Sequence, residues 1–421
     1  MRVLNIVHQY PPEFVGGTEL YTQAVAGSLV ARGHTASIFC PSGLSRSPTH
    51  PIVSADENGV QVYRVPLGPR GANGVFFDTF SQRTLSAAFA TVLQQERPQI
   101  IHIQHLMGLP AGLIDQIEQA GIPFVVTLHD YWYVCANAQL LTNTRQENCA
   151  GPRWWINCGQ CAVARAGHPG WLVLAPTVAP LMAYRHGLLR RALTRAAWLI
   201  APTEFVRETY RQLGTPAERI RVIPHGIEVP AALPAPQPRS TDALRVSYIG
   251  GLAWQKGVHV VIEAVNGLPA RAAQLSIYGD ATAFPEYAAK LQQLAHHPQI
   301  HFGGRLARTE LWQVLRETDV VVVPSLWYET ASLIIQEAFA AGVPVIASNL
   351  GAMRERVHDG LDGLLVTPGD PVSWRAALQR CIDEPGLLRR LCQGIRPVRS
   401  LDEHLADLEA LYAGTVVVTS H

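Results

Sequence analysis

Apolar residues recur along this chain in two periods. Short, mostly apolar runs occupy residues 3–8, 35–40, 60–66, 99–103, 123–129 and 198–201. Such runs predict strands covered on both faces, as in parallel sheets. Between them, apolar positions follow helical spacing: Leu20, Ala24, Val25 and Leu29 form one stripe, and Leu109, Leu113, Ile114 and Ile117 another. A second alternating series predicts strands at 244–249, 275–278, 300–302, 319–324, 343–347 and 364–366, with helices at about 257–265, 284–295, 308–317 and 332–341. The Pro/Ala stretch 229–238 separates the two series and reads as a linker, because proline lacks the amide donor that a strand or helix interior needs. The fold class is therefore α/β, with two doubly wound parallel-sheet domains. Ligands of such sheets bind outside the carboxyl ends of the strands, so two facing domains predict a cleft. Residues 401–412 form an amphipathic helix whose docking partner periodicity leaves open.

Composition narrows the function. Of 421 residues, 48% are hydrophobic and 16% charged, which excludes disorder. The net charge of +1 supplies no general field for holding nucleic acid. Only two of the 34 basic residues are lysines, Lys256 and Lys290. The first strand follows Met1 at once, and no run of 18 apolar residues occurs, which predicts a cytoplasmic protein with no membrane span.

Three segments carry candidate chemistry. Gln9–Glu19 follows the first strand, precedes a helix and contains Gly16-Gly17, which lets backbone approach a ligand at a helix N-terminus. It is not the dinucleotide motif, and Cys40-Pro41 stands where an acidic ribose-binding residue is expected; a tight turn without a ligand is the competing reading. In the second segment, strand 244–249 ends in Gly250-Gly251, and Lys256 precedes the next helix, where a compact ammonium suits a phosphate oxygen. The alternative there is a solvated loop lysine. In the third, strand 319–324 leads through Ser325 to Glu329 and a helix carrying Glu337. At about 1.5 Å per residue the two carboxylates stand roughly 12 Å apart along the axis, with the amides of Ala331, Ser332 and Leu333 facing a diphosphate between them. Two surface glutamates are the plainer alternative.

These residues resemble glycosyltransferase family 4. Glu329-x7-Glu337 followed by Ala-Phe-Ala-Ala-Gly-Val-Pro-Val-Ile-Ala is similar to the family's donor-site signature, and the resemblance extends through Gly16-Gly17, Thr127-Leu128-His129-Asp130, 222–227, 250–257 and 359–366. It implies the GT-B fold: a Rossmann-like acceptor-side domain at 1–224, a Rossmann-like donor domain at 225–395, and a segment 396–421 whose helix returns to the first domain. It also implies retaining transfer of a hexose-type sugar from a UDP- or GDP-linked donor to a glycan or lipid-linked acceptor in polysaccharide or glycolipid assembly, with no catalytic metal. Glu337 would bind the ribose hydroxyls, Glu329 the transferred sugar, Lys256 the diphosphate, and His129 the sugar from the first domain; Gly16 and Gly17 would let backbone approach the ligands. Asp130 is a further candidate. Two positions depart from the pattern. Gly251 replaces a frequent arginine, which leaves Arg305 as a second phosphate cation. Ala331-Ser332 replaces a common Phe-Gly. A nucleotide-sugar epimerase and a non-catalytic nucleotide-sugar-binding subunit are the alternatives.

Two features lie outside this scheme. Cys135, Cys149, Cys158 and Cys161 are spaced C-x13-C-x8-C-x2-C, the ligand count of a structural zinc site; free thiols and an iron–sulfur or redox pair are the other readings. Residues 181–198 form a basic amphipathic helix with Arg185, His186, Arg190, Arg191 and Arg195, which reads either as an ordinary solvated face or as a peripheral membrane contact.

Overall fold

The computed structural model describes residues 1–45, 51–167, 169–233 and 243–419. The predicted linker 229–238 therefore lies partly outside the described residues. The chain divides into two compact units, one of Met1–Pro224 with the C-terminal helix Leu401–Thr419, the other of His225–Ser400.

The first unit is built on eight strands: β1 (Arg2–Ile6), β2 (Thr35–Ser42), β3 (Val53–Glu57), β4 (Val60–Pro66), β5 (Ile100–Ile103), β6 (Phe124–Thr127), β7 (Trp198–Ala201) and β8 (Ile220–Val222), in the order β3-β4-β2-β1-β5-β6-β7-β8. All pairs are parallel except β3 with β4. β3 is exposed and polar, so no apolar alternation marks it. Its hairpin is marked instead by Asn58-Gly59, both at positive φ, 57° and 82°. The second unit holds β9 (Leu244–Ile249), β10 (Ala273–Tyr278), β11 (Ile300–Gly304), β12 (Val320–Val323), β13 (Val345–Ser348) and β14 (Gly363–Val366), all parallel, in the order β11-β10-β9-β12-β13-β14. Strand order reverses between β1 and β5 in one sheet and between β9 and β12 in the other. Ligand crevices of open parallel sheets form at such switch points, beyond the strand carboxyl ends.

The C-terminal helix buries Leu401, Leu405, Leu408 and Tyr412 among Val3, Tyr21, Val25 and Leu29 of the first unit. Polar contacts fix its register. Tyr412 Oη meets His102 Nδ1 at 2.5 Å, Tyr21 Oη meets His404 Nε2 at 2.7 Å, and Arg32 pairs with Asp402 and Glu409. His102 also reaches Thr127 Oγ1, at 2.7 Å, and is fully buried. Burial, aided by nearby His404, lowers its pKa from 6.5 to about 3. The folded state thus binds fewer protons here than the unfolded chain. The stabilisation is complete above pH 6.5 and is lost as pH falls toward the folded value. Acidifying from pH 6.5 to 5 therefore removes about 2 kcal/mol through His102 alone. Melting temperature followed over that range should fall, and His102→Gln should flatten the slope; an unchanged slope in the variant would contradict the assignment.

Candidate active site

In the second unit the two strands flanking the switch point each deliver one motif. Beyond β9, Gly250-Gly251 lead into a short turn, Trp254–Lys256, then Gly257 in the left-handed region at φ 71° and the helix Val258–Asn266. A Cβ on Gly257 would stand 2.0 Å from the Pro324 carbonyl, so only glycine lets this turn pack against the end of β12. The Leu326 amide donates to Gln255 O at 2.8 Å across the same junction. This packing delivers Lys256 to Glu329. Glu329 is buried, and its Oε1 accepts from Lys256 Nζ at 2.6 Å, Ser325 Oγ at 2.7 Å and Trp327 Nε1 at 3.0 Å. The ammonium also lies 5.3 Å from the Trp327 ring centroid. A buried carboxylate that accepts from one cation and two neutral donors is positioned before any ligand arrives.

The following helix, Leu333–Ala340, matches the predicted 332–341, but Glu329 lies outside it. Residues 329–332 are not helical, so helical rise spans only the four steps from Leu333 to Glu337, about 6 Å. The 12 Å spacing inferred along one axis therefore does not apply. Ser332 precedes the helix at φ 50°, ψ 76°, a left-handed conformation that glycine adopts freely. Its side chain makes no capping hydrogen bond. Ser332→Gly should therefore stabilise the protein by about 1 kcal/mol, the left-handed penalty less glycine's added chain entropy. A thermal melt that moves downward for this variant would contradict that reading.

Glu337 is buried one turn into the helix, and Arg308 Nη1 pairs with its Oε1. Arg308 and Arg305 both stand in the exposed loop after β11; Arg308 is the one that reaches the helix. Ala331 is buried beside it.

In the first unit, the helix Gly17–Ala31 begins beyond β1 with Gly16 at its N-cap. The Glu19 carboxylate folds back onto the Gly16 amide and its own amide, the acidic half of a capping box. A Cβ on Gly16 would stand 2.6 Å from Glu19 Oε2, so a larger residue there would have to shift the tip of this capping carboxylate. The anion-favouring helix tip is thus already engaged by Glu19, and burial raises that carboxyl above its usual range. Glu19 Oε1 lies 3.4 Å from His8 Nε2, and the His8 ring lies 4.3 Å from that of His105. His105 accepts the Met107 amide at Nδ1, so its Nε2 carries the proton and donates to Asp130 Oδ2 at 2.9 Å. Asp130 Oδ1 accepts the Trp132 amide at 2.8 Å. With both oxygens engaged, Asp130 is a positioned acid.

A second chain assigns the state of His129. Asn5 Nδ2 donates to Ser37 O, so Asn5 Oδ1 accepts Gln104 Nε2 at 3.0 Å. Gln104 Oε1 then faces His129 Nε2 at 2.9 Å, and this nitrogen must bear the proton. Burial, with His105, His102 and His404 nearby, holds the His129 imidazole well below its usual range, so it is neutral.

Sequence reasoning missed Arg308, Ser325, Trp327, Gln104, His105 and Glu19. Arg308, Gln104 and His105 act through contacts between segments 25 or more residues apart. Ser325 and Trp327 reach Glu329 within one short loop that no periodicity describes. Glu19, three residues after a turn glycine, carries a local signal.

The zinc expectation for Cys135, Cys149, Cys158 and Cys161 does not hold. Among the described residues no group of three or more His, Cys, Asp or Glu side chains is arranged to hold a metal ion. Asparagines order the loop instead. Asn137 Nδ2 donates to Leu141 O and Asn143 Oδ1, Asn143 Nδ2 to Cys161 O, and Asn157 Nδ2 to Gly151 O, all within 3.0 Å. The basic helix, Ala175–Arg195, is also less open than its sequence implies. Arg185 is buried over the Trp132 ring at 4.1 Å, while Arg191 and Arg195 pair with Asp115 and Glu118.

Comparison with known proteins decides the family. The family model Glycosyltransferase Family 4 matches residues 15–229, and that of Glycosyl transferases group 1 matches residues 243–384. The chain belongs to glycosyltransferase family 4. Among curated relatives of this glycosyltransferase, the glycogen synthase of Mycobacterium tuberculosis is 26% identical over 94% of this chain and 89% of its own. The D-inositol 3-phosphate glycosyltransferase of Xylanimonas cellulosilytica is 26% identical over 94% and 91%. The fold is of GT-B type. Sucrose-phosphate synthase from Thermosynechococcus elongatus superposes with a TM-score of 0.75 at 19% identity over 99% of each chain. Anabaena HepE, solved in complex with UDP and glucose, superposes with a TM-score of 0.68 at 19% identity over 98% of this chain and 99% of its own.

Proposed function

We propose that this glycosyltransferase moves a hexose-type sugar, with retention, from a UDP- or GDP-linked donor to a hydroxyl of a glycan or lipid-linked acceptor. The reading rests above all on the preformed Lys256–Glu329 pair beyond β12 at the switch point of the second sheet. Lys256 neutralises the departing diphosphate, together with the amides of Leu333 and its neighbours at the start of the helix. Glu329 aligns hydroxyls of the transferred sugar. Glu337 receives the ribose hydroxyls, which displace Arg308; the freed guanidinium then supplies the second cation in place of Arg305. Gly250 and Gly251 leave room for backbone approach to the phosphates. On the first unit, His129 contacts the sugar as a neutral imidazole, Gly16-Gly17 lines the acceptor side, and Asp130 orients the loop.

As the bond from the anomeric carbon to phosphate oxygen breaks, the acceptor oxygen bonds to that carbon on the same face. Its proton passes to the departing diphosphate oxygen. The named complexes of HepE with UDP and UDP-glucose, and the sugar-transferring relatives, support a donor of this class. The test is a panel of UDP- and GDP-sugars assayed for nucleotide release, with and without chelator, followed by NMR of the product anomer. Chelator-resistant release with a retained anomeric configuration is expected. An inverted product, or interconversion of the donor sugar with no acceptor consumed, would overturn the proposal.

A further inference from the structure

The segment from Asn148 to Thr203 contains six arginines and no aspartate or glutamate, in a chain with 33 acidic residues. Within it the helix Ile156–Arg165 crosses the start of the helix Ala175–Arg195 so closely that a Cβ on Gly159 would stand 2.4 Å from Ala175 O. This crossing brings the residues just before each contact point to one part of the first unit. On one side are Trp154 and Ile156; on the other are Trp171, Val173 and Leu174. All five are exposed, Trp154 by 86% and Val173 by 80%. Tyr184, also exposed, continues the surface along the longer helix, where it stacks on Phe80 at 5.8 Å. Contiguous exposure of large apolar side chains on a soluble face marks a contact surface.

The surrounding charge selects its partner. Arg185 is buried, and Arg191 and Arg195 are paired with Asp115 and Glu118 at the surface. Arg153, Arg165 and Arg190 remain exposed, and Arg145 stands exposed just upstream. Tryptophan and tyrosine suit the boundary between headgroups and acyl chains, and arginine beside them suits lipid phosphate. Among the described residues no helix is long and apolar enough to cross a membrane, so contact would be by lying on the surface.

We propose that the crossing of these two helices docks the first unit on an anionic lipid bilayer, with Trp154, Trp171 and Val173 entering the interface and the exposed arginines meeting lipid phosphate. This surface differs from the one the basic helix suggested in sequence, because three of that helix's four arginines are engaged by Trp132, Asp115 and Glu118. The inference does not depend on which sugar is transferred.

Sedimentation with vesicles tests it. The full chain should pellet with vesicles of phosphatidylcholine and phosphatidylglycerol in equal parts, and should remain in solution with phosphatidylcholine alone. Trp154→Ser, Trp171→Ser and Val173→Ser combined should lower recovery at least tenfold. Each of Arg153→Gln and Arg190→Gln should lower it roughly fivefold, with added salt acting likewise. All these positions are exposed, so the variants should keep the parental melting temperature and nucleotide release with a soluble acceptor. Tryptophan fluorescence quenched by brominated lipid in the parent, and less so in Trp171→Ser, would report insertion directly. Equal recovery on neutral and anionic vesicles, recovery that survives the triple substitution, or a dimer in sedimentation velocity that the triple substitution abolishes would overturn the proposal.

Discussion

Glu329→Gln lowers turnover roughly a hundredfold while leaving donor affinity within a few-fold of the parent. The side chain keeps its volume, and Ser325 and Trp327 retain an oxygen acceptor, so the fold should hold. What is lost is the negative charge that fixes Lys256 at 2.6 Å and that would accept the sugar's hydroxyls. Catalysis of this kind depends on placement: a shift of about 1 Å in a reacting group costs on the order of a hundredfold. The loss should therefore appear in kcat rather than in KM. Steady-state kinetics across the donor panel, with a thermal melt as folding control, decides the matter. Parental kcat in a well-folded variant would remove Glu329 from the reaction.

The second large effect belongs to Glu337. Replaced by alanine, it should raise KM for the donor by about ten- to a hundredfold, the worth of one or two charged hydrogen bonds to ribose, with kcat nearly intact. Arg308 serves as the internal control. In the absence of ligand it neutralises a carboxylate that is otherwise buried, so Glu337→Ala leaves an exposed guanidinium in water, which is tolerable. Arg308→Ala instead leaves Glu337 buried without its cation and should be the more destabilising of the two. A 2′-deoxyribose donor should bind the parent as weakly as it binds Glu337→Ala. If the parent binds ribose and deoxyribose donors equally, Glu337 does not read the ribose.

The fold was legible because both sheets are buried on two faces. Strands such as Val320–Val323 consist of nothing but valine, and such runs admit few other readings. The strands that escaped are those without that signature. Val53–Glu57 is a polar edge whose only mark is the Asn-Gly turn, and Ile220–Val222 has three residues, one of them arginine. The family motif was equally local and equally readable. Geometry inside the motif was not. The sequence Glu329-x7-Glu337 looks like two helical turns, but Ser332 breaks the backbone with a left-handed residue, and no apolar period reports a single φ.

Through-space pairings were out of reach for a different reason. Arg308 meets Glu337 across 29 residues, and Gln104 meets His129 across 25, with nothing in either segment to single out the partner. The cysteines show the opposite error. Their spacing suggested metal ligands, while asparagines at 137, 143 and 157 already satisfied the loop's backbone. Polar residues in a long loop read as solvated until their partners are known.

In the proposed reaction a sugar diphosphate rests at the Leu333 end of the helix Leu333–Ala340, beside Lys256. A crystal structure of the protein soaked with a UDP- or GDP-sugar tests this most directly. Diphosphate oxygens should lie within hydrogen-bond distance of Lys256 Nζ and the Leu333 amide, with ribose hydroxyls on Glu337 and Arg308 released from it. A nucleotide bound elsewhere, with Glu337 still held by Arg308, would contradict this placement.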